Sequence, residues 1–440
     1  MSGSVRLFRG LHLSEKLVRR ARILLLYLTG QGLLQILGFS VGLLLLRWLT
    51  IDNYAQFSIA FSFQTSLSLL TDLGFSATIV ALVGPRKDQP EVICSYIRSG
   101  QHIRNRVLLI VTPLSAILYI FIARQHHWAQ IPSALLFLSI ITSIYFNGMV
   151  SYHSVPLLIH RKLSEFYRFQ IFGAGFRLIT TSAMYLARAL NAWTTSWINA
   201  LGYLLIGLLN KHESKSYIRL PAHPDPAITK QMIHYLMPNI PGILFFAVQG
   251  QISIYLISIF GQTRSIAEVG ALGRLAQIFL LLSSFNLAVI EPFMARLPTE
   301  RVARNYLTIL GIAACICGLL CLVGFLAPGI LLLLLGPRYA GLQRETGWVI
   351  LGACMSYLVG VTWFMATARR WIYWTTTWAT IGLIVTAQIV FLSLVRIDST
   401  MHAVLFGCAT SAAHLIGMLF NGMYGYVRGP RVKIPEPLHP

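Results

Sequence analysis

Apolar residues in this chain gather in long blocks separated by short polar gaps. A helix needs roughly 20 mostly apolar residues to cross a bilayer. The pattern predicts about twelve such segments, at roughly 22–46, 55–83, 105–123, 131–151, 168–188 and 192–209, then roughly 232–259, 267–292, 305–327, 346–367, 371–395 and 401–427. A further run, Leu331 to Leu335, follows Pro328 and Gly329 and is too short to span alone. It is expected as an interfacial turn leading into Gly336-Pro337.

Six blocks precede, and six follow, a polar stretch that contains PAHPDP, with Pro221, Pro224 and Pro226. That stretch is expected to be an extended, proline-stiffened linker. The predicted organisation is a basic tail at 1–21, a six-helix bundle at 22–210, a linker at 211–231, a second six-helix bundle at 232–427 and a tail at 428–440. The halves also share a weak likeness. LLLRWLTIDNYAQFSIAFSFQTSLSLL resembles YLISIFGQTRSIAEVGALGRLAQIFLLL: an apolar helix, a short polar loop, then a helix rich in Ser, Gly and Gln. Both begin on the same side of the membrane, which makes a parallel repeat about an axis along the membrane normal. The fold class expected is an all-α polytopic membrane protein with about 12 transmembrane helices, as two six-helix bundles around a central cavity.

Composition agrees: 440 residues, 56% hydrophobic and only 11% charged, with mean hydropathy +0.67, where soluble domains carry about 25% charge. Charge then sets orientation. Alternate gaps hold 26 of the 35 Lys and Arg residues, and the gaps between them hold seven. The positive-inside rule makes both termini cytoplasmic and the helix number even. The net charge of +21 therefore points to anionic headgroups and not to nucleic acid. The basic start, Arg6 to Arg22, reads as an uncleaved cytoplasmic tail.

Several chemistries find no support. The six cysteines lie mostly within apolar blocks, as small hydrophobes without disulfide or metal spacing. The gaps on the outer side are short, and no HExxH, P-loop or nucleotide-binding glycine motif occurs. No enzymatic activity and no cofactor are expected. Intramembrane acids, the signature of cation coupling, are nearly lacking. Glu268 and Glu291 fall at helix ends, and Asp72, in TDLGF, is the one deeper candidate for binding a proton or Na⁺, against a helix-end hydrogen-bonding or ion-pair role.

Two arginines remain unexplained by the topology rule. Arg177, in IFGAGFRLITTSAMYL, lies near the middle of the fifth segment, where an arginine costs roughly 2.5 to 3.5 kcal/mol on insertion scales. Nearby Gly173, Gly175, Thr180, Thr181 and Ser182 favour a packed or water-lined setting. It is either a cavity-lining anion site or a structural partner for a carbonyl or Asp72. Arg274, in ALGRLAQIF, is less deep; its side chain either faces a cavity or snorkels outward. Arg47, at the outer end of the first segment, is the weakest of three candidates of like sign.

A guanidinium is a planar, permanently charged fork that matches phosphate oxygens, so a phosphate-bearing lipid is the natural ligand. Gln31, Gln35, Gln64, Asn147, Gln249, Gln251, Asn286 and Gln388 add amides within the same segments, either to contact sugar hydroxyls or to bond between helices. His153, His160 and His234 are weaker proton-shuttle candidates than His414, and a lone intramembrane histidine is ordinarily a packing residue. The aromatic run WIYWTTTW, Trp371 to Trp378, reads as an interfacial belt before a sugar platform.

Three stretches carry a family likeness: GFSVGLLLLRWLTIDNYAQFSIAFSF with LLTDLGFSATI; LMPNIPGILFFAVQGQISIYLISIFG running to VGALGRLAQIFLLLSSF and EPFMARLP; and LLLLLGPRYAG. In these, and in helix count and segment order over nearly its whole length, the chain resembles the polysaccharide and O-antigen repeat-unit flippases of the multidrug/oligosaccharidyl-lipid/polysaccharide (MOP) exporter superfamily. It departs at Ala55, after Asp52, Asn53 and Tyr54, where the family commonly has glycine.

The resemblance implies two six-helix bundles around an often cationic cavity that opens alternately to each side, with Arg177 and Arg274 facing it. It implies a flippase in the bacterial cytoplasmic (inner) membrane. The cargo would be a polyprenyl-pyrophosphate-linked oligosaccharide, a surface polysaccharide repeat unit, moved from inner to outer leaflet. Its partners would be that lipid-linked glycan, membrane lipids and the polysaccharide polymerase machinery, with no nucleic acid. The substrate-contacting candidates are Arg177, Arg274, Arg47, Gln249 and Gln251, and Asp72 is the candidate for ion coupling. The rivals are a cation-coupled multidrug exporter of the same fold and a membrane glycosyltransferase or polymerase.

Overall fold

The computed structural model describes residues 28–83, 89–218, 224–237 and 240–428. These form helices with no strand among them. The first half holds α1 (Leu28–Trp48), α2 (Ile51–Asp72), α3 (Phe75–Val83), α4 (Pro90–Gln125), α5 (Gln130–Ile159), α6 (Leu163–Leu186) and α7 (Ala192–Ser214). Next come α8 (Pro226–Leu236), α9 (Ile240–Gln249), α10 (Ile252–Phe260), α11 (Thr263–Ala276), α12 (Ile278–Phe285) and α13 (Glu291–Arg296). The chain continues with α14 (Thr299–Leu326), α15 (Pro328–Leu335), α16 (Gln343–Ala368), α17 (Trp374–Leu394) and α18 (Thr400–Arg428).

Among the described residues, nine spans, one of them α11 running on into α12, and one bent pair, α9 with α10, are long and apolar enough to cross a bilayer. Two more polar units, α2 with α3 and α6, occupy the remaining predicted positions. Large side chains such as Leu109, Ile117, Leu186 and Leu326 stand exposed around the circumference, as lipid-facing residues must.

Three predicted spans are broken. The second breaks where Leu73 and Gly74 adopt left-handed φ of 45° and 79°, a conformation that favours glycine. The seventh bends by 47° between α9 and α10. The eighth passes from α12 through a π-helical turn, Asn286–Ile290, into α13, whose first turn holds Pro292. A proline there removes a helix hydrogen bond, and π turns absorb such a defect. The run at Leu331 to Leu335 is the end of a short helix, α15, terminated by Gly336 at φ 97°.

The linker is more structured than its prolines suggest. Helix α7 runs on to Ser214, and Pro226 opens α8, where Asp225 caps the helix by accepting from the Ala227 amide at 2.8 Å. Proline suits that first helical position because its missing N–H has no helical partner anyway. Met232 and Leu236 bury α8 against Phe75, Ile79 and Tyr96 of α3 and α4, and the Tyr96 hydroxyl donates to Gln231 at 2.7 Å. Residues 1–21, part of the linker and most of the C-terminal tail lie outside the described residues.

Two bundles result. In the first, α5 packs along α7 and α2 packs on α4, α5 and α7; in the second, α16 is the hub for α14 and α18. They meet chiefly through α2 against α11, the second members of the two similar helix pairs. Further bridges cluster at the end away from the basic segments. Arg338 donates to the Leu49 carbonyl at 2.6 Å, the Gln125 amide donates to the Ile259 carbonyl, and His126 lies 2.8 Å from the Ser258 carbonyl.

Candidate central cavity

Between the bundles lies a cavity of about 190 Å³, lined by α1, α2, α6, α7, α11 and α12. Both Arg177 and Arg274 line it. Arg177 stands fourteen residues after Leu163 at the start of α6, about 21 Å along the helix at 1.5 Å per residue. Arg274 stands eleven residues after Thr263, about 16 Å along α11 from the opposite end. Two cations from halves distant in sequence thus share one cavity, each more than two helical turns from the start of its helix.

Small residues make room for Arg177. A Cβ on Gly202 of α7 would lie 2.7 Å from the Arg177 Cγ, and one on Gly173 would overlap Ile206. The Arg177 Nη1 donates to Asn199 Oδ1 at 3.0 Å, and Asn199 Nδ2 donates in turn to Gln64 Oε1 at 2.9 Å. The guanidinium also lies 5.4 Å from the Tyr203 ring centroid. Its Nε is buried without a partner among the described residues. These are all neutral groups.

Arg274 is 7% exposed, so it packs inward instead of snorkelling. Its Nε donates to the Tyr54 hydroxyl at 3.3 Å, and Tyr54 donates to the Gly270 carbonyl at 3.4 Å. The guanidinium covers the Phe61 ring at 5.1 Å and the Phe57 ring at 5.8 Å. Gly42 of α1 faces it; a Cβ there would lie 3.0 Å from Nη1. A side chain of the second half is therefore held by α1 and α2 of the first. Desolvated cation–π contacts are worth up to about 2 kcal/mol each, which offsets part of the burial of charge. Neither arginine takes part in an ion pair among the described residues.

The other candidates stand elsewhere. Arg47 is exposed, and its Nη2 donates to the Leu333 and Leu334 carbonyls at 2.9 and 3.2 Å, capping the end of α15. A cation there meets the negative end of the helix dipole. Gln251 accepts from the Ser62 hydroxyl at 2.9 Å, and Gln249 accepts from Gln388 at 2.8 Å. Both amides bond between helices beside the α9–α10 bend. Asp72 ends α2 with Oδ2 accepting from Ser76 at 2.8 Å; its other oxygen is buried without a partner among the described residues. It does not line the cavity, and it feels the charge of Arg104.

Glu268 is paired with Arg264 at 2.9 Å and accepts from Thr400. His414 stacks on Phe246 at 4.7 Å, and Trp374 and Trp378 are exposed as an edge-to-face pair. Of the amides singled out in the sequence, Gln35 lines the cavity.

Sequence reasoning missed three residues. Asn199 positions Arg177; its signal was a lone amide inside an apolar run. Gln277 lines the cavity three residues after Arg274, a spacing that shares a helix face. Arg104 was grouped with loop cations, yet it is 3% exposed. Among the described residues, no group of three His, Cys, Asp or Glu side chains is placed to hold a metal ion.

No protein-family model matches this sequence, and no curated protein matches it either. Solved structures do. An inward-facing multidrug resistance MATE family transporter of the MOP superfamily superposes with a TM-score of 0.59 at 13% identity, over 89% of this chain and 98% of that one. A MATE in complex with MaD3S gives 0.58 at 12% identity, over 93% and 95%. The eukaryotic MATE transporter AtDTX14 gives 0.51 at 10% identity, over 95% and 99%. Matched along nearly its whole length, this chain has the two-bundle fold of the MATE transporters of the MOP superfamily, and in it two arginines line the cavity between the bundles.

Proposed function

We propose that this protein is an alternating-access membrane exporter whose cargo is an anionic, phosphate-bearing lipid: a flippase for a polyprenyl-pyrophosphate-linked oligosaccharide. The observation that carries the reading is the pair Arg177, half-buried, and Arg274, buried, which line one cavity with neutral partners. A buried charge is costly unless something compensates for it. A pyrophosphate entering between the bundles would supply that compensation, while its lipid tail stays in the bilayer. Leaving a negative interior, an unaccompanied anion gains about 2.3 kcal/mol per charge per 100 mV. Orientation with both termini cytoplasmic follows from the charge bias and belongs to the same proposal.

A cation-coupled multidrug exporter is the second reading. On fold alone it fits as well, because the structural neighbours are MATE transporters, and the Asp72 oxygen that lacks a partner among the described residues favours it. The two part on cargo charge. In proteoliposomes, a labelled polyprenyl-pyrophosphate oligosaccharide should become accessible in the opposite leaflet, and Arg177→Ala should slow this at least about tenfold, or 1.4 kcal/mol in barrier. Efflux of a cationic dye driven by a proton or Na⁺ gradient and lost in Asp72→Asn, with no movement of the lipid-linked glycan, would replace the flippase reading with the second.

A further inference from the structure

A second cavity, of about 290 Å³, lies inside the first bundle between α4, α5 and α7 and shares no lining residue with the central one. Its floor is Arg104. This side chain donates through Nη2 to the Ile144 carbonyl of α5, and its Nε has no partner among the described residues. The hydroxyl of Tyr152, fully buried beside it, is also unpartnered among them. Gly148 permits the arrangement, since a Cβ there would overlap the guanidinium.

The mouth is basic. Arg98, Lys211 and Lys215 line it and are exposed. Among the described residues no carboxylate lines the cavity; Asp72 acts on Arg104 and Tyr152 from the α2–α3 side. Helix α4, at 36 residues, is about 54 Å long against a hydrocarbon core of roughly 30 Å. Its first turns, with Arg98, therefore extend to headgroup level and beyond. Tyr145, 52% exposed, forms another part of the wall. The volume equals that of on the order of ten waters, ample for a phosphoryl group and its substituent.

We propose that this cavity is a phosphate-binding site, in which Arg104 and Tyr152 donate to phosphoryl oxygens at the floor while Arg98, Lys211 and Lys215 attract the group at the mouth. Basic pockets between membrane helices on the side of the positive loops suit anionic headgroups. An arginine fork with free donors suits phosphate in particular. The site rests on one bundle alone and does not depend on the cargo of the central cavity.

The test uses the full chain in phosphatidylcholine nanodiscs. Retained phosphatidylglycerol is measured by native mass spectrometry, and inorganic phosphate binding by equilibrium dialysis. The variants are Arg98→Gln/Lys211→Gln/Lys215→Gln, Arg104→Gln, and a control at other exposed cations, Arg296→Gln/Arg301→Gln/Arg304→Gln. Each basic residue near an anionic headgroup contributes about a factor of five, so the first variant should bind about a hundredfold more weakly while the control changes little. Loss of phosphatidylglycerol alone identifies a lipid headgroup as ligand; loss of inorganic phosphate alone identifies a soluble phosphate; either result supports the site. Equal binding by wild type and the mouth variant, or an equal loss in the control, overturns it, whether or not Arg104→Gln folds.

Discussion

Arg274 of the central cavity and Arg104 of the second are both buried, but they are held in opposite ways. In the central one, Arg274 of the second bundle is held by Tyr54, Phe61 and Gly42 of the first, so its surroundings exist only while the bundles touch. In the other, Arg104 is held within one bundle by a backbone carbonyl of α5 and by the field of Asp72. Separating the bundles would strip Arg274 of its neutral partners and leave Arg104 untouched. Under the alternating-access proposal the difference matters: a charge whose partners straddle two bundles would change environment if they moved apart, and a charge enclosed by one bundle would not.

The largest expected effect tests that contrast directly. Arg177→Ala and Arg274→Ala should each reduce transport of an anionic lipid-linked cargo at least about tenfold in proteoliposomes, whereas the mouth variant of the second cavity should stay within twofold. Equal losses in all three would abolish the distinction. Packing gives the next effect. Gly148→Val should cost about 1–3 kcal/mol of stability by forcing Arg104 from its place, read as a lower melting temperature in detergent. Gly42→Val meets the Arg274 guanidinium at a looser distance, 3.0 Å for the added Cβ against an outright overlap at Gly148; it should cost less stability than Gly148→Val and lose transport.

Smaller changes sharpen the comparison further. Arg274→Lys keeps the charge but loses the planar group over Phe61 and the Nε bond, so it should recover less activity than Arg177→Lys. Tyr54→Phe removes the hydroxyl between Arg274 and Gly270 and should weaken bundle contact by about 1 kcal/mol. A cysteine pair across α2 and α11 would then crosslink more slowly. Least of all, Arg47→Ala removes a helix-end cation worth about 0.3–1 kcal/mol. Transport abolished in that variant, with the fold intact, would extend the working site to the C-terminal end of α1.

Much of this was legible beforehand because membrane insertion depends on local sums of hydropathy and charge. The twelve segments, the short run before Gly336 and the two arginines outside the topology rule all follow from one-dimensional counts. Arg104 did not, for a definite reason: it sits between Arg98 and Arg106 in sequence, so a count assigns it to a loop. Only the 36-residue length of α4 and the approach of Gly148 turn it inward. The linker misled in a similar way, since Pro226 starts a helix there instead of preventing one.

The sequence by itself determined roughly where the apolar segments lie and which gaps between them are basic, but not that spans break at Leu73-Gly74 and before Pro292. Tertiary structure alone decided which polar side chains meet. Arg177 and Arg274 share a cavity, Arg47 caps α15, and Gln249 and Gln251 bond to neighbouring helices. The reason is physical. A helix forms and inserts on energies summed over its own residues, but the direction a side chain faces depends on how closely neighbouring helices approach. That approach is set by residues far away in the chain, such as Gly42 opposite Arg274 and Gly202 beneath Arg177.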